Sequence, residues 1–266
     1  MSIKFCTIAS GSSGNSAFFS TKTTSILIDA GLTGKAITQA FSQINQNIES
    51  LSAILITHEH TDHIKGAGVI SRKYNLPIYA TIGTWEYMSN NNSIGRIAPH
   101  NKIHILPSDT IKIGDIDILP FDIPHDASQP VGFSINTNGH KIVIVTDMGH
   151  ICQNVAEHLY GATLMLVEAN HDIEMLKNGP YPSYLKRRIL SPTGHLSNIA
   201  SANMIAQVFS HKTKHILLGH LSHENNNPLL AYEVVKNILY SKHIEVGVDT
   251  SLAVALRHNI GKVITL

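Results

Sequence analysis

Five times along the chain a short apolar run ends at an ionisable residue: SILI before Asp29, AILIT before His58, KIVIVT before Asp147, LMLV before Glu168 and HILLG before His220. Runs of this length, rich in Ile, Val and Leu and separated by segments of helical periodicity, predict strands of a layered α/β core. In open α/β sheets the loops beyond the carboxyl ends of the strands gather on one edge, where ligands bind. Five ionisable groups at five strand ends therefore predict one site.

The same pattern continues between these points. Strands are expected over 3–8, 25–28, 53–57, 115–123, 131–135, 141–145, 164–167 and 215–218, and helices over 33–44, 62–75, 82–90, 151–160, 195–210 and 228–241. Thr33 and the Asn227-Pro228 pair are helix start signals. With 266 residues and 43% hydrophobic content the chain can bury a full core. No repeat, charge block or Ser/Pro-rich linker interrupts it, so residues 1–266 are read as a single domain of two βα-containing halves divided near Gly139.

The densest chemistry is in ITHEHTDHIKG, residues 56–66. His58 and His60 are two apart, so both rings can face one point, while Asp62 and His63 follow as a helix begins. That spacing can serve two metal ions side by side, and imidazole and carboxylate are ordinary ligands for zinc, manganese or iron. Cys6 and Cys152 are the only cysteines, too few for a thiolate zinc site or a disulfide framework. Glu59, between the two histidines, is expected to point away, as a surface group or a support behind the ligands.

These residues resemble the HxHxDH signature of metallo-β-lactamase-fold hydrolases, preceded by the expected aspartate in LIDAG, residues 27–31. The resemblance implies a four-layer αββα fold, with two β-sheets sandwiched between helices. It also implies His58, His60, His125 and Asp147 around one divalent ion, and Asp62, His63, Asp147 and His220 around the other. Asp147 would bridge, and a hydroxide shared by two Zn2+ or Mn2+ ions would be the nucleophile. Asp62 is a candidate for catalysis as well as ligation. Asp29 would orient a ligand or a turn rather than bind metal.

GSSGNS at 11–16, EANHD at 168–172, SPTGHLSN at 191–198 and GHLSHENN at 219–226 together resemble the YycJ (WalJ) family of bacterial nucleases. The implied activity is metal-dependent 5′-to-3′ exonuclease action on double-stranded DNA, with DNA-repair proteins as partners and RNA as the alternative nucleic acid. The short separations from His125 to Asp147 and from Asp147 to His220 leave no room for the insertions of tRNase Z-type and RNase J-type enzymes. His195 is the candidate general acid for the leaving alkoxide, with Glu168 or Asp172 to hold it. His171 would contact substrate, orient its loop or simply pack. Ser12, Asn15, Arg188, Ser197 and Asn198 are candidate substrate contacts, with Arg188 drawn from the run Lys186-Arg187-Arg188.

Two other readings stay open on the residues alone. The same centre can hydrolyse a small molecule, as a thioesterase, lactonase or lactamase-like enzyme, because the metals do not select the electrophile. A binding or sensor protein with structural metals is the third. A net charge of +1 gives no global basic field, so a polyanion must be held locally. The N-terminal residues lack signal-peptide character and no apolar run approaches membrane-spanning length, which predicts a cytoplasmic protein without membrane association.

Overall fold

The computed structural model describes residues 2–266. Their contacts separate two compact units, one formed by residues 2–120, 127–131 and 256–266, the other by 121–126 and 132–255. The strands form two seven-stranded mixed sheets. With their flanking helices they give the four-layer αββα fold class.

The first unit begins with a meander, β1 (Lys4–Ala9), β2 (Ser16–Ser20) and β3 (Ser25–Ile28), antiparallel throughout. Helix α1 (Gly34–Gln43) starts at Thr33, whose hydroxyl accepts the Ala36 N–H as predicted. It leads to β4 (Ala53–Leu55), which lies parallel to β3. After β4 come the short α2 (Thr61–Ile64) and α3 (Ala67–Tyr74), then β5 (Ile78–Thr81), α4 (Ile82–Asn90), β6 (Lys102–Ile105) and β7 (Ile111–Ile113). The C-terminal strand Ile264–Thr265 pairs with β1. Phe18, Leu27, Ile37, Phe41, Ile54, Ile70 and Trp85 centre this unit's core.

Strand β8 (Ile116–Asp122) passes into the second unit at Phe121 and β9 (Val131–Thr137) at Gly132, followed by β10 (His140–Val145), α5 (Gln153–Leu159) and β11 (Leu164–Glu168). Helices α6 (Ile173–Asn178), α7 (Ser183–Ile189) and α8 (Asn198–Val208), strand β12 (His215–Gly219), α9 (Pro228–Ser241) and β13 (Ser251–Val254) complete it. Strands β10 to β13 are all parallel neighbours. Val143, Met165, Val167, Ile205, Leu218 and Val235 lie in its core.

Several elements differ from the sequence expectation for local reasons. The helix expected over 62–75 breaks at Gly66, where a Cβ would sit 2.3 Å from the Leu32 carbonyl. The Gly66 N–H instead donates to Ala30 at 2.7 Å, drawing the DAG turn onto the metal motif. The helix expected from 195 begins only at Asn198, capped by the Ser197 hydroxyl, which leaves His195 on a loop. Strands β2, β5, β6 and β13 have four or five residues each, too short for a clear periodic signal.

Candidate metal centre

Strand ends place the ionisable groups. Asp29 directly follows β3, His58 lies just past β4, Asp147 lies just past β10, Glu168 ends β11 and His220 directly follows β12. Asp29, Asp147 and His220 have φ of 55°, 61° and 54°, the left-handed region that non-glycine residues rarely occupy. Each strand therefore turns sharply at its ionisable residue. Such strain persists where the surrounding bonds over-determine it.

In the first unit those bonds are explicit. Asp29 Oδ1 accepts the Thr57 N–H at 2.9 Å, and Asp29 Oδ2 accepts from the Thr57 hydroxyl at 2.9 Å and from His63 Nδ1 at 2.7 Å. With Nδ1 protonated toward Asp29, His63 keeps its lone pair on Nε2, and the Asn15 amide donates to that atom at 3.0 Å. The tautomer is the one a metal ligand needs. The Asn15 amide also reaches Asp62 Oδ2 at 3.2 Å, while Asn15 Oδ1 accepts the Gly11 N–H at 2.8 Å.

His58 Nε2 and His60 Nδ1 approach to 3.0 Å. The edge of a zinc tetrahedron at ordinary Zn–N distances is roughly 3.3 Å. Gly31 lets these parts meet, since a Cβ there would lie 1.6 Å from the Asp62 carbonyl oxygen. Glu59 is buried rather than on the surface. It accepts the Ser128 N–H at 2.6 Å and the Thr84 hydroxyl at 3.2 Å, fastening residues 127–131 to this unit.

In the second unit, Asp147 Oδ1 lies 2.7 Å from His220 Nδ1 and 3.9 Å from His125 Nε2. The 2.7 Å separation suits two atoms of one coordination shell. His125 points Nδ1 at the Gly194 carbonyl, 3.4 Å away, so Nε2 carries the lone pair. Burial pushes the His125 pKa below its ordinary value, against the pull of the Asp147 charge. A neutral imidazole is the ligand form.

Glu168 and His195 also lie close enough to Asp147 and His220 for all four to face one ion. Their hydrogen bonds give them different work. Glu168 is fully buried; its Oε2 accepts the Met148 and Leu196 N–H groups at 3.0 and 3.1 Å, and its Oε1 accepts from His195 Nδ1 at 2.7 Å. Burial alone would lower the His195 pKa, but the Glu168 charge and hydrogen bond, with Asp147 and Asp126, raise it to about 9. Between the two acids expected to hold His195, Glu168 makes the contact. Asp172 instead caps α6, accepting the Glu174 and Met175 N–H groups.

The remaining expected residues divide by exposure. Ser12 is exposed, and Arg188, half-exposed, pairs through Nε with Asp126 beside His125. Asn15, Ser197 and Asn198 are buried, Ser197 as the cap of α8 and Asn198 in reciprocal amide bonds with Asn226 at 3.0 and 2.8 Å. His171 is buried, and among the described residues neither ring nitrogen has a hydrogen-bond partner. Desolvation pushes its pKa down to about 4.

Sequence reasoning placed Asn226, with Ser222 and Asn225, at the polar lip of the site but gave it no role. Besides Asn198, its amide donates to the Ala169 and Asn170 carbonyls at 2.9 and 3.0 Å, and Asn170 donates to the His220 carbonyl at 2.9 Å. The doublet Asn225-Asn226 within GHLSHENN was its only sequence signal.

Both halves pass the test of donor chemistry for divalent cations. Imidazole nitrogens with fixed tautomers and buried carboxylate oxygens converge at separations that suit shared coordination.

Known proteins share this arrangement of sequence and fold. The beta-lactamase superfamily domain matches residues 24–220. The exodeoxyribonuclease YycJ of Bacillus anthracis is 42% identical, over 93% of this chain and 93% of that protein. The exodeoxyribonuclease WalJ of Streptococcus pneumoniae is 43% identical, over 92% of this chain and 91% of that protein. The crystal structure of the metallo-β-lactamase fold protein YhfI from Bacillus subtilis superposes with a TM-score of 0.76 at 18% identity, covering 100% of this chain and 99% of that one. The HxHxDH half-site, the strand-end carboxylates and this end-to-end likeness lead to one assignment: the chain belongs to the metallo-β-lactamase superfamily, within the family of YycJ and WalJ.

Proposed function

We propose that the protein is a metal-dependent phosphodiesterase acting as a 5′-to-3′ exonuclease on double-stranded DNA. The observation that carries this reading is the His195–Glu168 pair, an imidazole beside Asp147 and His220 held at 2.7 Å by a buried carboxylate, whose charge raises its pKa against the effect of burial. Hydrolysis of a phosphodiester expels an alkoxide, which needs a proton. A thiolate leaves without such help, so the dyad favours a substrate with a poorer leaving group than a thioester. The activity named for YycJ and WalJ supports the same choice.

In this reading His58, His60, His125 and Asp147 hold one divalent ion, and Asp62, His63, Asp147 and His220 the other, with the chain acting as one domain. Bound zinc or manganese lowers the pKa of water and neutralises phosphate charge. The chain's own residues do the rest. Asp29 and Thr57 fix the His63 ring, and Asn15 fixes Asp62. His195 keeps Nδ1–H on Glu168 and gives the proton from Nε2 to the leaving oxygen. Arg188 and Ser12 meet the DNA backbone, while His171, Ser197 and Asn198 hold the His195 loop. DNA-repair proteins are the expected partners. Among the described residues no helix is long and apolar enough to cross a membrane.

The test is a product ladder. Metal-loaded protein is incubated with end-labelled single- and double-stranded DNA and RNA, beside a thioester and a lactam. Mononucleotides released from the 5′ end of duplex DNA are expected, with His195→Ala losing most turnover at normal metal content. Brisk thioester or lactam hydrolysis without nuclease activity under any divalent metal would overturn the reading.

A further inference from the structure

We propose that Arg257 and the Ser12-Ser13 tip of the glycine-bounded turn form a phosphate-binding locus for the DNA backbone, a role that rests on the nuclease reading. All of its parts lie in the first unit. The turn is built from GSSGN: the Gly14 N–H donates to the Gly11 carbonyl at 2.9 Å, and the Gly11 N–H to Asn15 Oδ1 at 2.8 Å. Ser12 and Ser13 are exposed at its tip. Among the described residues their backbone N–H groups enter no hydrogen bond. Successive N–H groups at a tight turn make an anion-binding concavity.

The cation comes from the far end of the sequence. Ser10 donates its N–H to the Leu256 carbonyl at 3.2 Å, which lays residues 256 and 257 along the turn. Arg257 Nη1 then donates to Ser12 Oγ at 3.2 Å. A guanidinium is a rigid planar fork of N–H donors whose geometry matches phosphate oxygens. Beside it lies a hollow of about 270 Å³ in which Gln39, Gln43 and His258 add polar groups.

Position gives the locus its meaning. Asn15, three residues beyond Ser12, is bonded to Asp62 and His63. The turn that carries the tip is therefore anchored through Asn15 to the metal-ligating motif, and the locus is assigned to a backbone phosphate other than the scissile one. A chain of net charge +1 has no general field to retain DNA, so a local cation matters more.

The experiment measures binding of metal-loaded protein to a short fluorescein-labelled duplex with hydrolysis-resistant phosphorothioate linkages, by anisotropy across a salt series. Arg257→Ala is expected to weaken binding to every sequence and to reduce the salt slope by about one, the loss of one phosphate contact. Arg257→Lys, which keeps the charge, should retain most of the slope, and Lys112→Ala should match the parent. An unchanged slope in Arg257→Ala, or Arg257→Lys as weak as Arg257→Ala, overturns the locus alone. A parent protein that binds no duplex at any salt overturns the locus and the nuclease reading together.

Discussion

At the scale of single residues, His195 shows how one contact sets the protonation of a site. Burial drives an imidazole toward the neutral form, yet Glu168 at 2.7 Å reverses that and raises the pKa to about 9. A general acid works only while protonated. Turnover should therefore persist as pH rises toward 9 and decline above it. Glu168→Gln removes the charge that opposes burial, so this alkaline limb should move to lower pH, toward or below the ordinary imidazole value of about 6.5. A kcat–pH profile checks it; a limb that stays in place would remove Glu168 from the proton's control. Asp29→Asn tests the opposite half. With the amide oxygen kept on the Thr57 N–H, the NH2 donor faces His63 Nδ1 and cannot accept from it, so the ring loses the partner that fixes its tautomer. Metal affinity should fall by roughly 10- to 100-fold, read by competition with a chromophoric chelator, and unchanged affinity would make Asp29 a turn residue only.

At the scale of elements, the end of β11, the loop after β12 and the loop before α8 carry Glu168, His220 and His195, and Asn226 ties them. Its amide meets Ala169, Asn170 and Asn198, and Asn170 passes the constraint to the His220 carbonyl. Asn226→Ala takes the amide donor from the Ala169 carbonyl and from Asn198 Oδ1, while the Asn170 carbonyl keeps the Ser222 N–H, a cost of about 2–4 kcal/mol on the scale of unsatisfied buried polar groups. Urea unfolding should show that loss, with a fall in kcat because the dyad and His220 share the loosened loops. A stability within about 0.5 kcal/mol of the parent, the range of an ordinary surface change, would mean the braid carries no load. The sequence announced the strand ends because apolar runs and the residues that stop them are neighbours. It did not announce the role of Asn226, whose partners lie 28 and 56 or more residues away. Gly31 and Gly66 were equally silent, since their need for no Cβ arises from the Asp62 and Leu32 carbonyls across the turn. The split of the expected 62–75 helix follows from that long-range approach.

At the scale of the whole molecule, composition carried little of the answer. Of 17 histidines, motif and strand-end position pointed to a few, and the rest found local uses such as His158 stacked on Phe121. The fold class was legible because it needs only a pattern of strands and helices. The groups at the strand ends set a condition on the molecule as a whole. Asp29, Asp147 and Glu168 are buried with His58, His63, His125 and His220 as their neighbours within the two units. Burying ionised groups is costly unless they are paired or bind metal. Ions that bind the folded chain and not the unfolded one stabilise it by mass action, about 4 kcal/mol for a site at a thousandfold excess over its Kd. Chelation should therefore lower the melting temperature, and added zinc or manganese should restore it in a concentration-dependent way. Asp147→Ala, lacking the proposed bridge, should show a smaller metal-induced rise and bind fewer than two ions per chain. Scanning calorimetry with parallel metal analysis decides the matter: identical melting with and without chelator, or full occupancy in Asp147→Ala, would show that these strand-end groups do not depend on shared cations for their burial.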